Sequence, residues 1–151
     1  MMPSFVDETS QKGEPMPLDV KRVEYYNLTV EGQLAEGSAL LGTIVGEGVD
    51  FLAYKAVPLG RARTQFTLFP IDGSKLTAGA AKAGLTAEGP YPAVLITGDE
   101  QPGALAGIYR KLAQAGIQIE ESCGIAHVNG GYGVVLYLRP EDCDRAIAVL
   151  G

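Results

Sequence analysis

The stretch of sequence that decides the fold is residues 93–119, which read AVLITGDEQPGALAGIYRKLAQAGIQI. It opens on a short apolar run, which is typical of a buried strand. Leu105, Ile108 and Leu112 then recur at positions i, i+3 and i+7, and this spacing predicts an amphipathic helix. Gly116 suits the end of that helix because glycine readily adopts the left-handed conformation. The stretch therefore predicts a strand, a loop and a helix.

A β-hairpin and a second helix follow this stretch. Apolar and polar residues alternate over 117–125, which predicts a half-buried strand. The Asn-Gly-Gly sequence at 129–131 is a strong turn signal, and it leads into a second apolar run at 132–138. Apolar residues at i, i+3, i+4 and i+7 within 143–150 predict a final amphipathic helix. The predicted order is β-α-β-β-α.

The first half of the chain repeats this pattern at an offset of 68 residues, which places Gly48 on Gly116 and Leu40 on Ile108. Because the elements recur in the same order, we interpret the two halves as a divergent internal duplication. A β-α-β-β-α unit followed by one more strand is the split βαβ arrangement, in which an antiparallel sheet carries both helices on one face. We therefore predict an α+β fold of two ferredoxin-like βαββαβ repeats.

The predicted organisation is a flexible N-terminal tail over 1–20, a first repeat over 21–90 and a second repeat over 91–151. The tail is rich in Pro, Ser and charged residues, a composition that cannot bury enough apolar surface to offset the entropy of ordering. Gly42 and Gly46 lie inside a predicted helix, where we expect them to allow close packing against a neighbour.

The last strand of each repeat is a separate question. In the first repeat Leu85–Glu88 is the predicted last strand, whereas the second repeat is predicted to lack its last strand. The run Ala93–Ile96 would then present an uncovered apolar edge. The Val20–Glu24 segment, the first repeat or a second molecule can cover that edge, and we expect a homodimer.

The net charge of -6 makes nucleic acid and anionic membranes poor partners, because both require clustered Lys and Arg. The N-terminus has no apolar core of a signal peptide, so we expect a cytoplasmic protein. Cys123 and Cys143 are predicted to be reduced, buried thiols. With His127 they do not form a set of metal ligands, so we expect no metal and no cofactor. His127 itself is expected at the surface or a pocket rim, without a catalytic role.

Residues 97–119 resemble the opening of an ACT domain. Members of that family typically read Asp or Asn, any residue, Pro-Gly, an apolar helix, and then Gly-Ile and a strand. Glu100 departs from the pattern, because it stands where the shorter Asp or Asn is usual. The resemblance holds in motif for the second repeat and only in layout for the first. The residues that match are Pro102, Gly103, Leu105, Leu112, Gly116 and Ile117.

The resemblance implies a regulatory protein that catalyses nothing. ACT domains commonly bind amino acids or similar small effectors between paired domains and pass the signal to an enzyme or a transcription regulator. With no attached domain in this sequence, the chain resembles the free-standing tandem members. The alternative is an interaction module that assembles with another protein through its sheets and binds no small molecule.

The loop before the first helix of the second repeat is the candidate effector site. Free N–H groups at a helix N-terminus attract a carboxylate, and a glycine lets a ligand approach the backbone. The acidic and amide side chains before the Pro-Gly can contact an amino group, and the next strand can line the far wall. It stays open whether the Pro-Gly only shapes a tight turn. In the first repeat Leu34 and Ala35 take the place of the Pro-Gly, so we expect a degenerate site or a purely structural loop there. The predicted site residues are Asp99, Glu100, Gln101, Pro102, Gly103, Ala104, Leu105, Ser122, Cys123 and Gly124.

Overall fold

The computed structural model describes residues 18–32, 34–99, 103–127 and 130–151. This part of the chain forms two compact units. The first unit is residues 23–92. The second unit is residues 93–151 together with 18–22.

Both units are built from strands and helices in the predicted order. In the first half the elements are β1 (Asp19–Glu31), α1 (Leu34–Gly46), β2 (Phe51–Leu59), β3 (Arg63–Pro70) and α2 (Gly73–Lys82). The second half continues with β4 (Glu88–Gly98), α3 (Ala104–Gln114), β5 (Glu121–Ala126), β6 (Tyr132–Tyr137) and α4 (Pro140–Leu150). The boundary between the units cuts both β1 and β4, so each of these strands contributes residues to both units.

The sheets are antiparallel and repeat the same register. In the first unit β3 pairs with β1 and β2, and in the second unit β6 pairs with β4 and β5. Tyr54 lies opposite Leu68, and Ser122 lies opposite Leu136, which is the same pair displaced by 68 residues. The predicted α+β fold of two ferredoxin-like, ACT-type repeats is confirmed.

Each unit has its own core between one sheet face and two helices. Alternation along the strands places one set of side chains on the helix-bearing face. The two helices of each unit also contact each other. The first core includes Leu28, Phe66 and Leu68 from strands with Leu40, Ile44, Leu76 and Ala80 from helices. The second includes Val94, Ile96, Val134 and Leu136 with Ile108, Leu112, Cys143, Ala146 and Leu150.

Close packing of the helices depends on glycines other than the predicted ones. A Cβ at Gly42 or Gly46 would meet nothing within 4 Å, so the expectation that these two allow close packing is wrong. A Cβ on Gly37 would lie 2.7 Å from the Phe66 ring, and one on Gly79 would lie 3.2 Å from the Ile44 Cα. The helical period turns Gly42 and Gly46 away from the core while Gly37 faces it.

The last strand of the first unit begins later than predicted. Residues 85–87 lie outside any strand, and β4 begins at Glu88. Its first five residues, Glu88–Pro92, belong to the first unit, where a Cβ on Gly89 would lie 2.8 Å from the Tyr25 carbonyl oxygen. Leu85 and Ala87 instead pack against the first core, which explains why they are apolar.

The start of β1 covers the edge of β4 in the second unit. β1 and β4 are hydrogen-bonded neighbours, and Leu18 and Val20 pack against the second core. The Thr97 hydroxyl donates to the Asp19 carboxylate at 3.5 Å, and Arg22 pairs with Asp144 at 3.3 Å. The second repeat ends on α4 as predicted, but its missing strand is supplied from the N-terminal side of the same chain. The expected need for a second molecule at this edge is therefore wrong.

Strand β5 is shorter and more exposed than the alternation over 117–125 predicts. It starts at Glu121, opposite Tyr137, because β6 extends no further along its side. Ile117 is buried beside the end of α3, whereas Ile125 is 79% exposed. Cys143 is buried as predicted, but Cys123 is exposed, because β5 is the last strand in its sheet.

A buried carboxylate links the two helices of the second unit. Asp142 is 1% exposed and accepts hydrogen bonds from Arg139 at 3.0 and 3.1 Å and from Arg145 at 2.7 Å. Arg145 also donates to the carbonyl of Ala115, just after α3, at 2.6 Å. Burial alone would raise the pKa of the Asp142 carboxyl, but the hydrogen bonds and charges of the two arginines outweigh it and lower this pKa below its usual value.

We expect Asp142→Asn to lower the melting temperature at pH 7 by about 5 °C. The pKa of Asp142 is lower in the folded than in the unfolded state, so its stabilisation is complete above the unfolded value and is lost as pH falls through the folded value. The difference from wild type should therefore shrink below about pH 4. Thermal melts between pH 7 and 2.5 check this, with Glu141→Gln as the control, because Glu141 lies on the same turn with a mostly exposed side chain. A difference that stays constant over this range would contradict the assignment.

Candidate functional site

A cavity of about 320 Å³ lies in the second unit, between the start of α3 and the strands β5 and β6. Its wall combines a helix N-terminus with the edge of a sheet. The residues that line it are Ala104, Leu105, Ser122, Cys123, Gly124, Ile125, Ala126, Tyr132, Gly133 and Val134.

Gly103 sets the start of α3. Its φ of 78° lies in the left-handed region, which favours glycine, and a Cβ there would meet nothing within 4 Å. The first helical hydrogen bond runs from the Gly107 N–H to the Gly103 carbonyl at 2.9 Å. The N–H groups of the first turn therefore have no acceptor within the helix, and the helix dipole places partial positive charge there. This end of α3 is suited to a carboxylate.

The outer edge of β5 adds further backbone groups. The His127 N–H donates to the Gly131 carbonyl at 2.9 Å, which fixes the alternation of the β5–β6 ladder. By that alternation, Ser122 and Gly124 turn their backbone N–H and C=O groups away from β6. These groups offer acceptors for an ammonium group beside the helix terminus.

Tyr132 is a cavity residue that the sequence analysis missed. Its hydroxyl is buried, and it is the one buried side-chain oxygen or nitrogen without a hydrogen-bond partner in the part of the chain that the structure describes. Burial raises the pKa of this hydroxyl, so it stays protonated at neutral pH. A Cβ at Gly98, opposite on β4, would come within 3.2 Å of the hydroxyl oxygen. A tyrosine that begins a strand opposite a glycine is the signal, but it can be read only once the register is known.

The structure brings together half of the predicted site residues. Ala104, Leu105, Ser122, Cys123 and Gly124 line the cavity. Gly103 immediately precedes α3, whereas Asp99 is exposed beyond the end of β4 and does not line it. The predicted residues Glu100, Gln101 and Pro102 lie outside the described residues.

Two hydroxyl groups near the cavity already have each other as partners. Tyr109 on α3 and Ser122 on β5 form a hydrogen bond between their hydroxyls. This contact ties the helix to the edge strand. It also means that the Ser122 hydroxyl is engaged, while its outward backbone groups are not part of the ladder.

The first unit has a cavity in the equivalent place, with a different lining. It measures about 620 Å³ and lies between α1, β2 and β3. Gly37 takes the position of Leu105, and Thr64 takes that of Tyr132 at the offset of 68 residues. The Thr64 hydroxyl donates to the Gly32 carbonyl at 3.0 Å. The other lining residues are Leu34, Ser38, Leu41, Ala56, Pro58 and Phe66.

His127 is exposed and borders a separate cavity of about 300 Å³ with Thr97, Gly130 and Gly131. The described residues contain no group of three or more His, Cys, Asp or Glu side chains placed to hold a metal ion. None of the helices among them is both long enough and apolar enough to span a membrane.

Solved structures with a similar fold exist at low sequence identity. Protein BT0572 from Bacteroides thetaiotaomicron has a TM-score of 0.74 at 20% identity, over 87% of this chain and 88% of that one. The ligand-free regulatory subunit of aspartate kinase from Thermus thermophilus has a TM-score of 0.60 at 13% identity, over 89% and 93%. E. coli aspartokinase III, in complex with aspartate and ADP, has a TM-score of 0.52 at 13% identity, over 91% of this chain and 34% of that one.

These likenesses establish the fold, because the identities are too low to carry a function. No family model and no curated protein matches the sequence.

Proposed function

We propose that this chain is a non-catalytic regulatory protein that binds an amino acid in the cavity of the second unit. The observation that carries the proposal is the meeting of an open helix N-terminus with the outer edge of β5 in one small cavity. A fold similar to that of an aspartate kinase regulatory subunit supports a regulatory role. The regulated partner would be an enzyme or a transcription regulator.

The two ends of an amino acid suit the two walls of the cavity. The α-carboxylate accepts hydrogen bonds from the N–H groups at the start of α3, where the helix dipole also favours negative charge. The ammonium group donates to the outward carbonyls of Ser122 and Gly124. We propose that the side chains of Asp99, Glu100 and Gln101 add negative charge and a polar amide on the ammonium side.

A catalytic role has less support. General acid–base catalysis requires a positioned group within hydrogen-bond reach of the reacting atoms, usually with a third group that orients it. Asp99 and His127 are the described candidates, and both are exposed and absent from the lining of the cavity at α3. Turnover of a metabolite that is lost in His127→Ala would contradict the non-catalytic proposal.

A second candidate function is an interaction module that acts without a small molecule. Apolar side chains are exposed on both outer strands, Tyr54 and Val57 on β2 and Ile125 on β5. Such edges are sites for pairing with another chain. We propose that the protein is a homodimer in either case, with the effector bound at the repeat or subunit interface.

Addition of the correct amino acid should raise the melting temperature. A ligand that binds only the folded state at 100 times its Kd stabilises that state by about 2.7 kcal/mol. A thermal-shift screen of the twenty amino acids, followed by calorimetry on the hits, checks this expectation.

A screen in which no amino acid shifts the transition would contradict effector binding. The interaction module would then be favoured if the chain also sediments as a dimer at micromolar concentration.

A further inference from the structure

The cavity at the start of α3 contains no charged side chain among its described lining residues. They are Ala, Leu, Ser, Cys, Gly, Ile, Tyr and Val. A ligand with a charged side chain would lose hydration there without gaining a counter-ion, and an unpaired charge in an apolar setting is strongly unfavourable. The lining therefore favours a ligand whose side chain is uncharged.

The hydroxyl of Tyr132 narrows this class further. A buried donor without a partner costs about 1–3 kcal/mol, so a ligand group that pairs with it gains affinity. The α-carboxylate and the ammonium group already have partners in the backbone of α3 and β5. The Ser122 hydroxyl is engaged with Tyr109. The Tyr132 hydroxyl is the polar group left over for the ligand side chain.

The first unit shows that the fold does not require an unpaired hydroxyl at this position. Thr64 occupies the same register position on β3 as Tyr132 on β6, and its hydroxyl donates to the Gly32 carbonyl. An unsatisfied hydroxyl is thus a feature of the second unit alone in this comparison. Its counterpart in the first unit is satisfied by the protein itself.

We infer that the cavity selects an amino acid with a neutral, hydrogen-bonding side chain, a hydroxyl or a carboxamide, and that Tyr132 sets this preference. The inference rests on the proposed function. The cavity volume of about 320 Å³ lies at the small end of ligand sites, which suits an amino acid of modest size.

Near-isosteric pairs of amino acids test the inference directly. Calorimetry should show that threonine binds roughly tenfold or more tightly than valine, and asparagine than leucine, because a site built to pair with a polar group disfavours the analogue that lacks it. Lysine, arginine, aspartate and glutamate should bind more weakly than these neutral hydrogen-bonding ligands. Tyr132→Phe should remove the preference within each pair. Tyr54→Phe is the matched control, since Tyr54 is 67% exposed and lies in the first unit.

The outcomes separate this inference from the proposed function. Tight binding of a charged amino acid, or equal losses for threonine and valine in Tyr132→Phe, would overturn the preference and leave amino-acid binding in place. If no amino acid binds the wild type, the proposed function fails and the inference fails with it. A preference that survives in Tyr132→Phe would overturn the role of Tyr132.

Discussion

Gly103→Val should weaken amino-acid binding by roughly 100-fold, which corresponds to the loss of charge-assisted hydrogen bonds to the ligand carboxylate. Valine is β-branched and poorly suited to the left-handed φ of 78°. The backbone before α3 would change, and the first-turn N–H groups would no longer point together. The new side chain would also occupy the open space in front of them, where a Cβ now meets nothing.

The protein should still fold in this variant. No neighbour lies within 4 Å of the new Cβ, so the expected loss of stability is the conformational penalty of about 1–2 kcal/mol. Gly84→Val is the matched control, because Gly84 has a φ of 77°, equally open surroundings and a place in the first unit. Calorimetry and thermal melts on both variants measure the two effects. Wild-type affinity in Gly103→Val would place the site elsewhere.

Val20→Asp should destabilise the second unit by roughly 2–3 kcal/mol, because it places a carboxylate against apolar side chains. Val20 packs on the second core from the first residues of β1, which cover the edge of β4. The backbone amides of Ala93–Ile96 should exchange slowly in the wild type even as a monomer, and faster in the variant. Hydrogen exchange with mass spectrometry measures both states.

Lys21→Asp serves as the control for this substitution. Lys21 is adjacent on the same strand, but its side chain is exposed. It should leave the exchange at Ala93–Ile96 near the wild-type rate. If Val20→Asp behaves like Lys21→Asp, the start of β1 does not hold the edge of β4.

The helices and the repeat could be predicted because their signals are local or periodic. Leu105, Ile108 and Leu112 share one face of a helix, and Gly116, with a φ of 72°, follows its end. The offset of 68 residues reappears as an identical strand register in the two units. Both features follow from spacing along the chain.

The choice of strand partners could not be predicted, because it depends on long-range pairing. Nothing in the pattern of Asp19–Glu31 says that its first residues belong with one unit and the rest with the other. The exposure of Cys123 follows from the position of β5 at the outside of its sheet, which alternation alone does not indicate. Tyr132 was missed for the same reason, since its neighbours Gly98 and α3 come from other parts of the chain.

The division of β1 and β4 means that the segment duplicated in the sequence is not the segment that folds as a body. A cut between the two repeats would separate residues 93–151 from 18–22 and leave β4 with an open edge. The inherited module and the cooperative module are thus displaced from each other by one strand. A circularly permuted chain in which 93–151 is followed directly by 18–22 would contain every strand of the second unit in a continuous sequence.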